Sequence, residues 1–351
     1  MSNYKVAIVG AGHIAESHYR GFTAHGAEVV AVVNHNIEKA RKFAEERNIA
    51  TAFDSVERLL ISRPDIDVIS ICTPNSTHRE IAIKALRAGK HVYSEKPPAL
   101  NAQETEEMVK EAQKSGRMLI FAFNNRARQG ALELKKRIDS GELGEINSIQ
   151  AEWIRRNGIP GFGGWFTNKG LSGGGPVIDL VHMLDLALHM MDFPEPEYVL
   201  AANFNTFIDD PAFSRGPRAG NLEVDVESAS HAMITFRGGK TIFTRASWAE
   251  MIEEENCAIT LQGTKAGAKL TRMLSNKKKD LLEWYEKENS SYVFDSDGEM
   301  GRIDLIGRFI RALDGENIPL PDPHQALSLM RIIDAIYKSA ESGMPVKVSE
   351  I

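Results

Sequence analysis

A glycine turn near the start of the chain has the residue spacing that binds a pyrophosphate. Residues 10–15 read Gly-Ala-Gly-His-Ile-Ala and follow a short apolar segment. In this pattern Gly10 permits a tight turn, Gly12 lets the backbone approach the anion, and the small Ala15 lets the following helix pack against the strand. The amide-rich N-terminus of that helix then faces the anion. The pattern predicts a dinucleotide site, and a purely structural glycine turn in another α/β protein is the alternative.

The end of the second predicted strand bears on the choice between NAD and NADP. A carboxylate about twenty residues after the glycine turn would bond the ribose hydroxyls and favour NAD. Residues 34–36 read Asn-His-Asn instead. Asn34 can bond a ribose hydroxyl, but it does not repel a 2′-phosphate, and no adjacent arginine would hold that phosphate. Both cofactors therefore stay open, with NAD favoured.

Three further segments carry groups capable of acid–base chemistry or hydrogen bonding. Residues 73–78 (Thr-Pro-Asn-Ser-Thr-His) and 95–97 (Glu-Lys-Pro) follow predicted strands, where doubly wound sheets place ligands. Residues 172–182 form a glycine-rich entry into a predicted helix that carries Asp179 and His182. An offset of three keeps two side chains on one helix face, so this spacing predicts that both reach the same site.

The bulk composition excludes several classes of protein. The 351 residues carry 42 basic and 48 acidic side chains, a net charge of −6 that leaves no basic surface for nucleic acid. Cys72 and Cys257 share no short spacing, so we expect neither disulfides nor a thiolate metal site, and a reducing cytoplasm fits best. No ligand spacing predicts a metal. The start has no charged leader, and residues 6–9 are too short an apolar run for a membrane span.

The elements that must position these groups fall into two patterns. The length favours two domains, 1–123 and 124–351. In the first, strands alternate with amphipathic helices, which predicts a parallel sheet covered on both faces. Strands are predicted there at 6–9, 29–33, 68–72, 91–94 and 118–123.

The second domain has longer alternating strands, which predict a mostly antiparallel sheet with one covered face. The predicted strands are 145–154, 198–204, 229–236 and 241–248, with a glycine hairpin at 237–240. The predicted helices are 129–140, 176–191, 305–313 and 327–342. The helix near 324–342 is expected to complete this domain or to pack back on the first. Residues 209–222 are predicted to be a surface loop, and 277–280 a solvated turn.

Four motifs occur in a fixed order: the glycine turn, Thr-Pro-Asn-x-x-His, Glu-Lys-Pro, and the helix with Gly-Gly-Gly, Asp and His. In this order they resemble the Gfo/Idh/MocA oxidoreductases, the glucose–fructose oxidoreductase and inositol dehydrogenase family. Later segments agree with the resemblance, namely 123–126, 140–145, 226–230 and 245–248. The family implies an α/β fold with an N-terminal Rossmann domain and a C-terminal α+β domain on a mostly antiparallel open sheet. It also implies NAD or NADP as cofactor and a homodimer or homotetramer.

The resemblance implies a role for each matching residue. Lys96 would lie between the nicotinamide and the substrate hydroxyl, where an ammonium stabilises negative charge on the reacting oxygen. Glu95 would approach the nicotinamide ribose, and Pro97 would follow a cis peptide bond. His182 would exchange the hydroxyl proton, a task that suits a group titrating near neutrality.

Asp179 departs from the family's spacing, because the family usually places its aspartate four residues before the histidine. Counting from the triple glycine aligns Asp179, whereas counting back from His182 puts Ile178 at that place. The role of Asp179, to contact substrate or to orient the histidine, depends on which count is right.

The predicted site has three groups of residues. The predicted cofactor-binding residues are Gly10, Gly12, His13, Ile14, Asn34, His35, Thr73, Pro74, Asn75, His78, Glu95, Lys96 and Asn124. The predicted catalytic residues are Lys96, His182 and Asp179. The predicted substrate contacts are Lys96, Arg126, Trp153, Arg155, Trp165, Asp179 and His182.

Several of these residues have a simpler interpretation. Trp153, Arg155 and Trp165 suit a sugar ring, but the same residues could pack at a subunit interface. His78 is interpreted as a helix-start residue beside the cofactor rather than an acid or base, and His189 as a core residue. Glu-Lys-Pro by itself is more often a charged loop than a catalytic triplet.

We therefore expect an enzyme that transfers a hydride between NAD(P) and a secondary hydroxyl of a sugar, a sugar derivative or a cyclic polyol, in a cleft between the two domains. One alternative is a glycosidase that retains NAD and cleaves by transient oxidation and elimination. Another is a non-catalytic sensor of dinucleotide or sugar. The presence of both Lys96 and His182 counts against the sensor, because such relatives often lose one of them.

Overall fold

The computed structural model describes residues 4–208, 210–272, 279–295 and 298–351, which form two compact units. The first unit comprises the described residues up to Ala99, Gln103–Asn124 and Glu299–Leu327. The second comprises Leu100–Ala102, Asn125–Gly298 and Ser328–Ile351 in their described parts. The first unit therefore takes in a late segment that the sequence assigns to the second domain.

The described strands and helices are numbered in chain order. The strands are β1 Lys5–Val9, β2 Glu28–Val33, β3 Thr51–Phe53, β4 Val68–Ile71, β5 His91–Ser94, β6 Leu119–Phe121, β7 Ile146–Ile154, β8 Pro196–Phe204, β9 Ala229–Phe236, β10 Thr241–Ser247, β11 Asn256–Gly263, β12 Gly267–Arg272, β13 Lys279–Tyr285, β14 Ser290–Asp295 and β15 Val346–Lys347. The helices are α1 His13–Ala24, α2 Ile37–Glu45, α3 Val56–Ser62, α4 His78–Arg87, α5 Ala102–Ser115, α6 Gln129–Asp139, α7 Lys169–Ser172, α8 Pro176–Asp179, α9 His182–Met190, α10 Gly298–Leu313 and α11 Pro323–Ser342.

A parallel sheet forms the centre of the first unit, with the order β3-β2-β1-β4-β5-β6 among the described strands. β1, β2 and β4 are buried along nearly their whole length, as expected for strands covered on both faces. The strand order changes direction between β1 and β4, and open α/β sheets bind ligands at such a point. The predicted parallel sheet is confirmed. The sequence does not predict β3, because three half-buried residues show no strand pattern.

The helix α10 belongs to the first unit and packs on its aromatic core. Phe309 lies 5.5 Å from Tyr93 and 6.5 Å from Phe22 between ring centroids. Gly21 of α1 faces Ile306 so closely that a Cβ at Gly21 would overlap its side chain. The sequence names the helix near 324–342 as the one that could return to the first domain, whereas the helix before it makes these contacts.

A mostly antiparallel sheet forms the centre of the second unit, with the order β14-β13-β12-β11-β7-β10-β9-β8-β15 among the described strands. β7 and β10 pair in parallel, and the other neighbours are antiparallel. The predicted fold class is confirmed. The predicted hairpin between β9 and β10 is also confirmed, and Gly238 and Gly239 both have a positive φ there (88° and 82°).

Two predictions about the second unit are wrong. The predicted helix 176–191 is broken into α8 and α9, because the backbone at Leu180 leaves helical geometry (φ −94°, ψ 17°). The solvated turn predicted at 277–280 is a strand from Lys279 onward, and Asp280 is only 2% exposed because it pairs with Arg128. Residues 277 and 278 lie outside the described part, as do 1–3 and residue 209 of the predicted surface loop.

Candidate active site

The glycine turn after β1 has the geometry of a pyrophosphate cradle. Gly10 has a φ of +103°, and a Cβ there would lie 2.5 Å from the carbonyl oxygen of Cys72. Gly12 precedes α1, and a Cβ at Gly12 would meet nothing within 4 Å. Ala15, on the buried face of α1, is fully buried, as expected for the third small position of the pattern. The open space before the N-terminus of a twelve-residue helix fits a dinucleotide pyrophosphate, whose charge the helix amides would bind.

The turn after β2 places the predicted ribose-binding asparagine in a local hydrogen-bond network. The Oδ1 atom of Asn34 accepts a bond from the backbone N of Asn36 at 2.9 Å. Asn36 in turn caps α2 by accepting from the backbone N of Glu38 at 3.1 Å and of Lys39 at 3.3 Å. The side-chain oxygen of Asn34 is therefore engaged by the protein, which orients its amide group. His35 between them is exposed.

The loops after β4 and β5 are joined by His78, the first residue of α4. One ring nitrogen, Nδ1, lies 2.9 Å from the carbonyl oxygen of Pro97, and the other, Nε2, lies 2.9 Å from that of Thr73. Burial lowers the pKa of His78, although these carbonyls act in the opposite direction. Both carbonyl oxygens are acceptors, so a neutral ring donates to one of them at a time and a protonated ring donates to both. Either form places the His78 ring between the two loops, with both of its nitrogens facing backbone oxygens.

The remaining residues of the loop after β4 are also held tightly. The hydroxyl of Thr77 donates to the hydroxyl of Thr73 at 2.7 Å and lies 2.8 Å from the carbonyl oxygen of Pro74. Asn75 is 4% exposed. Because β1, β4 and β5 are neighbours in a parallel sheet, this loop lies between the glycine turn and the Glu-Lys-Pro loop at one edge of the sheet.

The Glu-Lys-Pro loop contains the expected cis peptide bond, between Lys96 and Pro97. The Glu95 carboxylate is 9% exposed and is bonded on both oxygens. Oε1 lies 2.9 Å from Nε2 of His18, and Oε2 accepts from the backbone N of Lys96 at 3.1 Å. Burial by itself would raise the pKa of Glu95, but the hydrogen bond and charge of His18, with Arg302 and Lys96, hold it below its usual range.

In the second unit, the buried carboxylate of Glu227 holds the backbone of the glycine-rich stretch that leads into α8. Glu227 accepts from the backbone N of Gly175 at 3.1 Å, from that of Val177 at 3.3 Å and from the hydroxyl of Tyr337 at 2.9 Å. A Cβ at Gly174 (φ +153°) would overlap the Tyr337 hydroxyl. The backbone before α8 therefore has little freedom.

Asp179 and His182 lie on different helices, so the one-helix-face argument from their spacing is wrong. Asp179 ends α8 and His182, 7% exposed, begins α9. The Oδ2 atom of Asp179 accepts from Trp248 Nε1 at 2.9 Å and from Arg155 at 3.2 Å. Trp248 is fully buried in a core that includes Leu180. The Asp179 carboxylate is therefore held in place by two donors.

The other predicted substrate contacts have different surroundings in the second unit. Arg126 is buried and forms an ion pair with the buried Asp185, with Nε to Oδ2 at 2.9 Å. Its guanidinium is therefore engaged by a buried carboxylate. Trp153 is half-buried, and the guanidinium of Arg155 lies 5.2 Å from the centre of its ring. Trp165 stacks on its neighbour Phe166 at 3.8 Å between centroids.

His189, near the end of α9, makes the stability of the chain sensitive to acid. Burial, with the charges of Arg126 and Lys135, lowers the pKa of His189 from 6.5 to about 4. Unfolding therefore takes up a proton below pH 6.5, and stability is complete above pH 6.5 and falls toward pH 4. We expect the wild type to lose about 2 to 3 kcal/mol more than His189→Leu between pH 7 and pH 4.5. Urea unfolding at both pH values measures this, and equal losses would contradict it.

The described residues contain no group of three His, Cys, Asp or Glu side chains that could hold a metal ion. Within the same residues, no single helix is long and apolar enough to cross a membrane. One pair of segments, Lys169–Asp179 and His182–Met190, passes that test together by length and composition but is bent by 52°.

Both units match one family of proteins. Residues 4–123 match an oxidoreductase family described as an NAD-binding Rossmann fold, and residues 135–348 match its C-terminal alpha/beta domain. The chain belongs to the Gfo/Idh/MocA oxidoreductase family. A D-glucoside 3-dehydrogenase of Escherichia coli (strain K12) is 31% identical over 354 residues, which cover 99% of this chain and 98% of the relative. The predicted family and enzyme class, a nicotinamide-dependent dehydrogenase acting on CH–OH groups, are confirmed.

Solved structures of other oxidoreductases share the fold. A levoglucosan dehydrogenase in complex with NADH and L-sorbose has a TM-score of 0.86 at 22% identity, over 99% of both chains. An oxidoreductase domain protein from Kribbella flavida has a TM-score of 0.87 at 20% identity, over 99% of this chain and 100% of that one. In sequence, a levoglucosan dehydrogenase of Pseudarthrobacter phenanthrenivorans is 29% identical over 68% of this chain and 66% of its own.

Sequence reasoning misses three residues that organise this Gfo/Idh/MocA chain. His18 bonds Glu95, Glu227 fixes the glycine-rich entry, and Trp248 bonds Asp179. Only His18 carries a signal in its spacing, because it shares a buried helix face with Ala15 and Phe22. Glu227 and Trp248 lie in the segments 226–230 and 245–248, which agree with the family resemblance. Their partners are far along the chain, so neither segment predicts what these two side chains bind.

Proposed function

We propose that this chain transfers a hydride between NAD(P) and a secondary hydroxyl of a sugar, a sugar derivative or a cyclic polyol. One observation carries the proposal: the glycine turn, residues 73–78 and Lys96 follow β1, β4 and β5, which are neighbours in the parallel sheet. One edge of the first unit thus has a pyrophosphate cradle and an ammonium group. That pair suits a reaction in which negative charge develops on an oxygen beside a bound dinucleotide.

The proposed mechanism divides the work between two polar groups. When bound, the nicotinamide accepts or supplies the hydride. Lys96 donates a hydrogen bond to the reacting oxygen and stabilises its charge. His182 takes the hydroxyl proton during oxidation and returns it during reduction. Asp179, held by Arg155 and Trp248, offers a fixed carboxylate to a substrate hydroxyl.

The substrate class rests on the names of the relatives and on two aromatic side chains of the second unit. The relatives are named as dehydrogenases of D-glucosides, levoglucosan and inositol, all of which are hydroxylated rings. Trp153 and Trp165 offer aromatic faces of the kind that pack against such rings. We leave Arg126 out of the proposed substrate contacts, because it is buried in its ion pair with Asp185.

A panel of sugars, glycosides and cyclic polyols, each with NAD and with NADP, tests the proposal. We expect the absorbance of reduced nicotinamide to appear with at least one hydroxylated ring. Cleavage of a glycoside without net reduction of the cofactor would instead support the NAD-retaining glycosidase. Tight cofactor binding without turnover of any ring would contradict the proposal and support the sensor.

The choice of cofactor is proposed to be NAD, and Asn34 offers a direct test. Asn34→Asp keeps the oxygen that accepts from Asn36 but adds a negative charge where a 2′-phosphate would lie. We expect NADP affinity to fall about 10- to 100-fold while NAD affinity stays the same or rises. Fluorescence titration with both reduced cofactors measures the two affinities. Equal changes for both would show that Asn34 does not face the 2′ position.

The proposal includes a homodimer or homotetramer in the cytoplasm. One face of the larger sheet exposes a row of apolar side chains on three neighbouring strands, Leu200 of β8, Met233 of β9 and Phe243 of β10. A row of this kind is typical of a subunit interface. Cys72 and Cys257 are buried free thiols, which suits a reducing compartment. Light scattering that gives only the 38.9 kDa chain mass would contradict the oligomer.

A further inference from the structure

His18 is a buried polar residue of the first unit that has no role in the proposed mechanism. It lies on the buried face of α1 and is 1% exposed. Nδ1 lies 2.7 Å from the hydroxyl oxygen of Ser70 in β4, and Nε2 lies 2.9 Å from Oε1 of Glu95, directly after β5. One side chain thus joins a helix to the two strands that precede the polar loops.

Glu95 extends this connection to the backbone of the proposed catalytic lysine. Its Oε1 atom bonds His18, and its Oε2 atom accepts from the backbone N of Lys96 at 3.1 Å. A carboxylate is planar, so a bond that fixes one oxygen also fixes the direction of the other. The orientation of the Lys96 peptide therefore depends on where His18 holds Glu95.

The aromatic packing around His18 leaves its ring little freedom. Tyr93 packs edge-on against it with centroids 5.3 Å apart. Tyr93 is in turn packed against Phe22 at 5.8 Å and Phe309 at 5.5 Å. Because the ring cannot swing away without displacing this cluster, its two polar contacts have a defined geometry.

A gain in folding stability is a poor explanation for the buried pair of His18 and Glu95. Burying a carboxylate and a histidine together costs desolvation that their mutual attraction offsets only in part, and apolar residues of similar volume often stabilise as well or better. A buried polar network whose members are all hydrogen-bonded rigidifies the groups that it joins. Here the hydrogen bonds fix the position of the Lys96 backbone relative to α1, the helix that follows the proposed pyrophosphate cradle.

We propose that His18 is a positioning residue, which acts through Glu95 to hold Lys96 at a fixed place relative to the cofactor-binding end of α1. This inference rests on the proposed role of Lys96. Because Glu95 as an ionised carboxylate only accepts, Nε2 of His18 carries the proton. The Ser70 hydroxyl serves Nδ1 as donor or acceptor, so it fits either form of the ring.

Variants of His18 separate the hydrogen bond from simple packing. His18→Leu keeps the volume and removes both polar contacts, whereas His18→Gln keeps a donor near the position of Nε2. We expect His18→Leu to lower kcat about 10- to 100-fold, as is usual for partners that orient a reacting group. The KM for substrate and the Kd for NADH should change less than about threefold. His18→Gln should restore kcat to within a few-fold of wild type.

Equal kcat values for His18→Leu and the wild type would overturn the inference, and so would equal losses in His18→Leu and His18→Gln. If His18→Leu does not fold, Ser70→Ala takes its place, because it removes a single buried hydroxyl, the partner of Nδ1, and leaves the His18 ring present. Ser70→Ala is expected to lower kcat about threefold to tenfold, again with little change in Kd. An unchanged kcat in folded Ser70→Ala would equally overturn the inference.

A double-mutant cycle distinguishes failure of this inference from failure of the proposed function. If His18 acts through Lys96, then adding His18→Leu to Lys96→Met should lower the single-turnover rate no further. Full additivity of the two losses would show that His18 acts elsewhere. If Lys96→Met alone leaves kcat unchanged, the proposed function fails, and that result is independent of the His18 variants.

Discussion

Replacement of Lys96 by methionine is expected to lower kcat about 10³-fold while the chain keeps its fold and its affinity for NADH. Methionine matches the length of the lysine stem but cannot donate to the reacting oxygen or stabilise its charge. Loss of one such donor usually costs about 10² to 10³ in rate, and the ammonium adds a full positive charge. The loss falls on the chemical step, so KM should change far less than kcat.

Single-turnover mixing of the NAD-loaded protein with its substrate measures this loss directly. Lys110→Met is the matched control, because Lys110 is an exposed lysine on α5 whose partner is Glu106 one turn away. It should react like the wild type. A Lys96→Met protein that turns over within threefold of the wild type would contradict the proposed role of Lys96.

Alanine substitutions at Gly10 and Gly12 are expected to separate folding from cofactor binding. At Gly10 the positive φ costs about 1 to 3 kcal/mol for any residue with a Cβ. The overlap with the Cys72 carbonyl adds about 1 to 3 kcal/mol. At Gly12 the new Cβ meets no protein atom within 4 Å, so the free energy of unfolding should stay within about 1 kcal/mol of wild type.

The effect of Gly12→Ala should instead appear in cofactor binding. Its Cβ would occupy the open space in which the pyrophosphate approaches the backbone, so we expect the Kd for NADH to rise at least about tenfold. Urea unfolding and NADH titration of the two variants give the four values needed. Normal NADH affinity in Gly12→Ala would show that the cradle is elsewhere, and normal stability in Gly10→Ala would contradict the strain argument.

The first unit was largely predictable because its features are local. The glycine turn, the strand ends that carry Thr73 and Lys96, and the sheet that joins them each depend on a few consecutive residues. Their relation follows from the rule that parallel strands end at one edge of the sheet. His18 was not predictable in this way, because its partners Ser70 and Glu95 are 52 and 77 residues away.

The second unit was less predictable, for two physical reasons. The break between α8 and α9 lies at Leu180, where the sequence has neither proline nor glycine to signal it. The apolar run around His182 therefore predicts one continuous helix. β13 contains Lys279, Asp280 and Glu283, which have low intrinsic preference for strands, and it forms because of its neighbours in the sheet. The carboxylate that fixes the glycine-rich entry, Glu227, lies about fifty residues from the backbone that it binds.

The placement of α10 has a consequence for how the chain matures during synthesis. Phe309 and Ile306 pack against Tyr93 and Gly21, so the unit that begins the chain completes its aromatic core with residues near the end. About 170 residues separate the two parts, which at 5 to 20 residues per second is a delay of roughly 10 to 35 s on the ribosome. During that interval the nascent first unit exposes the apolar surface that α10 will cover. The first unit is therefore synthesised first, but its core is complete only after nearly the whole chain has been made.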